Sequence, residues 1–352
     1  MYILYSSFLL IISLLSIKTN KRATHFFIAV YFLLSVFVFG LRYGVGIDYF
    51  SYEFYFYNRA ETFSSEPLYS LVNWLFYTAG FEFYSVTIFI YAIIFICFLA
   101  GAYRFGLTGK YLWLATLLFT SNAMLLYLNG MRQGAAAAIC FAGMIYLFKK
   151  SYFRYALMIF LGIMFHYSAV IFALFPFFLR FLVSKRTVFF VLLLVPLSFI
   201  SAFTVKYGAI FERIVLFTGA YDQHTFANAI ATTGFPLGVF LRVSFCSFLL
   251  FWLLIGKVRF SKELFFAANM YGLGVMFNAI SVQNFMFGRV GYLFYLFEAL
   301  AISLIVLRTK DKKEKSVLFL ITIMYALVFT LYTLTLFPEI NGLEYQSIFS
   351  KP

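Results

Sequence analysis

Apolar runs about as long as a bilayer is thick recur along the whole 352-residue chain. They lie near 1–17, 24–41, 84–102, 111–128, 131–148, 153–166, 167–183, 187–204, 235–256, 264–281, 289–307 and 316–337. A backbone in hydrocarbon must satisfy its own amides and carbonyls, and a helix does so within one segment. The expected fold is therefore all-α, a polytopic integral membrane protein with about 12 transmembrane helices. Composition removes the water-soluble alternative: 11% of residues are charged and the mean hydropathy is +0.94, whereas a soluble domain needs about 25% charged residues. The 52 Phe and 27 Tyr suit the acyl phase and its two interfaces.

The first run has no basic stretch before it and no small-residue cleavage site after it, so it reads as a retained span. Cys97, Cys140 and Cys246 all fall inside apolar runs, which indicates neither a disulfide framework nor a thiolate metal site. The net charge of +14 does not form a nucleic-acid face. Instead, 19 of the 27 Lys and Arg cluster in short connections between runs, the positive-inside pattern, and that side is expected to be cytoplasmic. The arrangement holds if a further apolar stretch, 67–81, is a re-entrant or interfacial helix; if it crosses, at least one cluster falls on the other side. Two long segments, about 42–83 and 205–234, then face outward. They read as loops over a site, so 1–352 is taken as one transmembrane domain. There is no Walker-type loop, and chemistry is expected at the outer face without ATP or another cofactor.

Arg42, Arg59, Arg132, Lys206, Arg213, Arg242, Arg289 and Lys351 lie outside the cytoplasmic clusters. Arg42, Arg132, Arg242 and Arg289 abut or enter apolar spans, where charges face a bundle interior or a wet cavity. The guanidinium fork suits phosphate and carboxylate, so an outer anion site is one reading. Snorkelling to headgroups, or pairing with a local carboxylate, is the other. Arg42 and Asp48 bracket a glycine-containing turn, Arg42-Tyr-Gly-Val-Gly-Ile-Asp48, which also reads as a plain turn with a local ion pair. Asn129-Gly-Met-Arg-Gln-Gly opens a helix that continues into Ala135–Ala138, either a diphosphate-binding helix start or a close-packing seam. His166 sits at the outer end of its span as a proton-transfer group or a satisfied interfacial histidine. His224 lies beside Asp222 in the outer loop, and His25 near the cytoplasmic side. Glu298, inside a span, invites a transporter reading or a helix-to-helix hydrogen bond. No His/Asp/Glu grouping has metal-ligand spacing.

In order along the chain, Arg42-Tyr-Gly-Val-Gly-Ile-Asp-Tyr with Tyr52, Glu66-Pro67, Asn129-Gly-Met-Arg-Gln-Gly, Phe165-His-Tyr-Ser, the Arg289 region and Asn341-Gly-Leu-Glu-Tyr resemble the EpsG-like and Wzy-type O-antigen and polysaccharide polymerases. The resemblance implies a membrane glycosyltransferase that moves a growing glycan from undecaprenyl diphosphate onto a second lipid-linked repeat unit. It implies an active site facing the periplasm or exterior of the bacterial cytoplasmic (inner) membrane, and a flippase and chain-length regulator as pathway partners. Carried onto this chain, Arg42 and Asp48 match the first motif, Arg132 and Gln133 the second, and His166 the third. On that reading Arg42, Arg132 and Arg289 hold the donor diphosphate, and Arg213 or Arg242 holds the acceptor's. Asp48 or His166 takes the hydroxyl proton, with Asp222, Glu212 and His224 as reserves. Tyr43 and neighbouring tyrosines stack on sugars. A lipid-linked oligosaccharide flippase, an O-antigen ligase, a membrane acyltransferase using His166 and a nonenzymatic scaffold are the rival readings.

Overall fold

The computed structural model of the protein describes residues 21–46, 48–59, 66–204, 236–282, 285–335 and 347–350. The run 1–17 and the outer segment carrying Lys206, Glu212, Arg213, Asp222 and His224 lie outside the described residues. Within them the protein is helical, with two isolated antiparallel backbone bridges, Arg42 with Ser347 and Val258 with Thr309.

The chain rises through α1 (Lys21–Gly40), turns into α2 (Tyr49–Arg59) and α3 (Pro67–Thr78), and returns through α4 (Phe83–Arg104). Pro67 opens α3, where its missing N–H costs nothing. With 12 residues, α3 is roughly 18 Å long, short of the roughly 30 Å hydrocarbon layer. Next come α5 (Lys110–Leu118), one wide helical turn at Phe119–Ala123, and α6 (Met124–Tyr127). A tight turn leads to α7 (Met131–Phe148), then α8 (Tyr152–Phe165), a 3-10 segment (Tyr167–Leu174), α9 (Phe175–Leu182) and α10 (Lys185–Thr204). The last group is α11 (Leu237–Ile255), α12 (Lys262–Ile280), α13 (Phe285–Tyr292), α14 (Tyr295–Arg308) and α15 (Lys312–Thr335).

Among the described residues five helices are long and apolar enough to cross a membrane: α4, α7, α10, α11 and α15. Helices at 24–40, 152–165 and 167–182 are apolar but shorter. The five long helices fall short of the sequence expectation of about 12. Of the expected runs, 111–128 stays helical through the wide turn, 289–307 is split at Leu293 and Phe294, and 264–281 is one helix that carries the polar Asn269 and Asn278.

Alternating helix directions sort the charges. Lys110, Lys149, Lys257, Arg308 and Lys312 stand at helix ends at one end of the bundle, where Lys310 N–H donates to the Lys257 carbonyl at 2.8 Å and Arg259 N–H to that of Arg308 at 2.9 Å. At the opposite end α1 finishes near Arg42, α2 starts after Asp48, α7 opens at Arg132 and α8 finishes before His166.

The core is apolar, but so is much of the surface, which a soluble protein would make polar. Phe153, Phe177 and Phe181 are exposed, while Arg42, Glu66, Arg242, Asn269 and Glu298 are buried. Exposed phenylalanine is stable against acyl chains, and buried polar groups must find partners. In the core α7 packs on α4 and α8, and α12 on α10 and α14. Ala135, Ala136, Ala137 and Ala138 are all fully buried, so they act as the packing seam that small side chains allow.

The deepest polar cluster joins four helical segments. Glu298 of α14 accepts from Asn122 in the wide turn at 2.8 Å and from the Tyr325 hydroxyl of α15 at 2.7 Å. Arg242 of α11 faces it, Nε to Oε2 at 3.6 Å, with its guanidinium 4.3 Å from the Tyr295 ring centroid and 4.4 Å from that of Phe329. Wide turns offset the helical register by one residue, and this one places the Asn122 amide on the carboxylate.

Candidate active site at the Arg132 end

Glycines and tyrosines bring the first motif against the second. Gly46 has φ +98°, and a Cβ there would come within 2.7 Å of the Leu128 carbonyl oxygen. Only glycine accommodates both constraints. Tyr52, one turn along α2, donates to the Asn129 carbonyl at 3.3 Å. Replacing Gly46 with Ala is expected to cost more than about 1 kcal/mol of stability and to reduce activity by displacing Asp48, two residues on. Thermal unfolding and the chain-extension rate measure the two effects.

Arg132, second residue of α7, lies over the rings of Tyr52 and Tyr69, 5.2 Å from each centroid. One arm of its fork donates to Glu66, immediately before α3, in a short ion pair. Its Nε finds no hydrogen-bond partner among the described residues. The Arg132 side chain is 33% exposed against 4% for Glu66, so the cation is the open partner and the carboxylate braces it from behind. Burial raises the Glu66 carboxyl above the usual range, against the opposing pull of Arg132.

The other Glu66 oxygen faces Nε2 of His166 at 3.7 Å. On the far side of the ring, the backbone N–H of Ser168 donates to Nδ1 at 3.2 Å and the Ser168 hydroxyl lies 2.9 Å from it. A backbone N–H only donates, so Nδ1 holds the lone pair. In the neutral imidazole Nε2 then carries the proton, directed toward Glu66. Gln133 donates to the Ser168 hydroxyl at 3.3 Å and to the Arg289 carbonyl at 2.6 Å, coupling the starts of α7 and the 3-10 segment to the last turn of α13. Arg289 in turn donates to Asp48 at 3.2 Å, and this pair is the most open of the group, with side chains 39% and 26% exposed.

One connected set therefore contains Asp48, Glu66, Arg132, Gln133, His166, Ser168 and Arg289. It combines two partly open cations, an open carboxylate paired to one of them, and an imidazole N–H.

Other candidates go elsewhere. Arg42 is fully buried; it donates to the Tyr91 hydroxyl, and its guanidinium lies 5.1 Å from that ring's centroid and 5.8 Å from that of Tyr49. Tyr43 packs edge-on against Tyr49 and Phe50. Arg242 belongs to the Glu298 cluster, where its Nε faces Oε2 of the carboxylate at 3.6 Å. Arg213 lies outside the described residues. Glu66 and Ser168 were not assigned roles from sequence, although both stand in motif segments, Glu66-Pro67 and Phe165-His-Tyr-Ser168. No three His, Cys, Asp or Glu side chains are placed to hold a metal ion among the described residues.

Fold and pocket together define a multi-pass, all-helical membrane protein with an arginine-bearing polar site at one end of its bundle. The chain belongs to the EpsG family, whose model matches residues 24–347, nearly its full length. It is accordingly an enzyme, a membrane polysaccharide polymerase of the kind its motifs resemble. Neither the search among curated proteins nor that among solved structures returned a match.

Proposed function

We propose that the Arg132 pocket joins glycan repeat units carried on undecaprenyl diphosphate, at the outer face of the bacterial cytoplasmic membrane. The observation that carries the proposal is the convergence of Arg132 and Arg289 with the open carboxylate of Asp48. Arg132 and Arg289 hold the donor diphosphate. Its negative charge competes with Asp48 for Arg289, so donor binding frees the carboxylate just where an acceptor sugar enters. The acceptor hydroxyl oxygen then attacks the donor's anomeric carbon, and its proton passes to Asp48. The bond from that carbon to the diphosphate oxygen breaks, and its electron pair leaves with undecaprenyl diphosphate.

The two guanidinium groups stabilise charge as it grows on the leaving group, the contribution expected of preorganised donors. His166, whose Nδ1 lone pair is occupied by Ser168, serves as an Nε2–H donor. Glu66 positions Arg132 and His166, and Gln133 holds Arg289 in register. Arg213, on the outer segment, is assigned to the acceptor diphosphate. About 12 crossings, with α3 re-entrant or interfacial, match the cytoplasmic grouping of the basic clusters. A flippase and a chain-length regulator of the same pathway are the expected partners.

The test is stoichiometric. The purified protein, given its cognate lipid-linked unit, is expected to release one undecaprenyl diphosphate for each glycosidic bond formed. Movement of the unit across a vesicle membrane with no diphosphate release would instead identify a flippase.

A further inference from the structure

The opposite end of the bundle carries a second cavity, of about 450 Å³, whose walls include Lys110, Tyr111, Lys312, Lys315, Ser316 and Phe319. It lies at the far end of the helix that leads to Arg132: the 18 residues from Lys110 to Tyr127 span roughly 27 Å at the helical rise. It is therefore separate from the polymerising pocket.

Three features mark it as a site for an anion. First, three of the lining side chains are lysines, with Asp311 and Glu314 the carboxylates beside them at the start of α15. The ammonium groups of Lys110 and Lys315 lie 5.6 and 6.0 Å from the centroid of the same Tyr111 ring, and Lys315 also feels Arg259. Among the described residues no carboxylate oxygen comes within 4.0 Å of Lys110, Lys312 or Lys315. The nearby Asp311 is engaged instead with the backbone amides of Lys313 and Glu314, at 2.9 Å each. Second, α5 begins at Lys110 with no side chain capping its first amides, so its N-terminus adds a partial positive charge, whereas the start of α15 is already capped by Asp311. Third, the cavity is polar at one end only. Phe319 lies 5.8 Å beneath the Lys110 ammonium, the lining continues along α15 through Leu320 and Ile323, and beyond the cavity the same helix exposes Met324; Leu320 and Met324 are 57% and 53% exposed. In a bilayer that face meets acyl chains.

We infer that this cavity binds an anionic phospholipid, its phosphate held by Lys110, Lys312 and Lys315 and its acyl chains lying along Leu320 and Met324. The apolar continuation selects a lipid over a free anion, and basic pockets between membrane helices are suited to such headgroups. Bound there, the lipid bridges α5 and α15. Those helices also supply Asn122, through the wide turn that continues α5, and Tyr325 to Glu298, so occupancy is expected to stabilise the bundle.

The experiment is native mass spectrometry of the full chain in neutral detergent, offered phosphatidylglycerol or phosphatidylcholine. Wild type is expected to retain phosphatidylglycerol at least tenfold over phosphatidylcholine, and a Lys110→Gln/Lys312→Gln/Lys315→Gln variant to lose that preference. Equal retention of the two lipids, or an unchanged preference in a folded triple variant, overturns the inference. Displacement of phosphatidylglycerol by equimolar inorganic phosphate also overturns it, as a site for free anion. If the triple variant does not fold, a photoactivatable phosphatidylglycerol on wild type decides. Adducts on the Tyr111 and Phe319–Leu320 segments support the site, and adducts found only elsewhere refute it.

Discussion

Substituting Asp48 with Asn is expected to slow chain extension by about 10²- to 10⁴-fold, the usual contribution of a positioned general base, while donor binding is kept or tightened. The sign on binding follows from the resting ion pair. Asp48 occupies Arg289 at 3.2 Å until the diphosphate displaces it, and an amide is the weaker competitor. If Asp48 served only to anchor Arg289, the same substitution would weaken donor binding and spare kcat. Measuring KM and kcat for the lipid-linked donor therefore separates proton transfer from positioning. Asp48→Glu, which keeps the carboxylate on a longer stem, is expected to recover part of the loss.

The second large effect is on stability. Glu298→Ala leaves the guanidinium of Arg242, only 2% exposed, without its carboxylate inside the bundle. Breaking one half of a buried pair in this way costs about 3–5 kcal/mol. It also strands the Asn122 amide and the Tyr325 hydroxyl that donate to Glu298. An Arg242→Met/Glu298→Met double variant removes both charges together and is expected to be far less destabilised than either single change. Unfolding in graded denaturing detergent reads the difference. A single Glu298→Ala variant as stable as wild type would mean that the cluster is already hydrated or loosely held.

Much of the site was legible because its residues stand at breaks between apolar runs, where charge is costly unless used. Arg132 and Arg289 stand out on that ground, and Asp48, Gln133 and His166 through the motifs that resemble the family's; the five meet in one place. What the letters do not carry is which helix end faces which. Glu66 stands 66 positions from Arg132, and before Pro67 it reads as an ordinary helix start. Its bracing role exists only once α3 packs on α8 and α4, which brings Glu66 to Arg132 at the start of α7. The same missing information misled on Arg42 and Arg242. A cation entering a span can open onto a pocket or close onto a partner, and these two close, onto Tyr91 and Glu298. Helix number is hard to read for a related reason. A hydrophobic run does not reveal the break at Leu293 and Phe294, which divides one apolar stretch into two helices.

The most direct measurement of the central claim is product length from purified protein and its cognate undecaprenyl-diphosphate repeat unit, comparing wild type with Arg132→Ala and Arg289→Ala. Wild type is expected to make long lipid-linked glycans, and each folded variant to lose about 10²- to 10³-fold in extension rate, as when a preorganised charge-stabilising donor is removed. Undiminished extension by folded Arg132→Ala would contradict the assignment and move the chemistry away from this pocket.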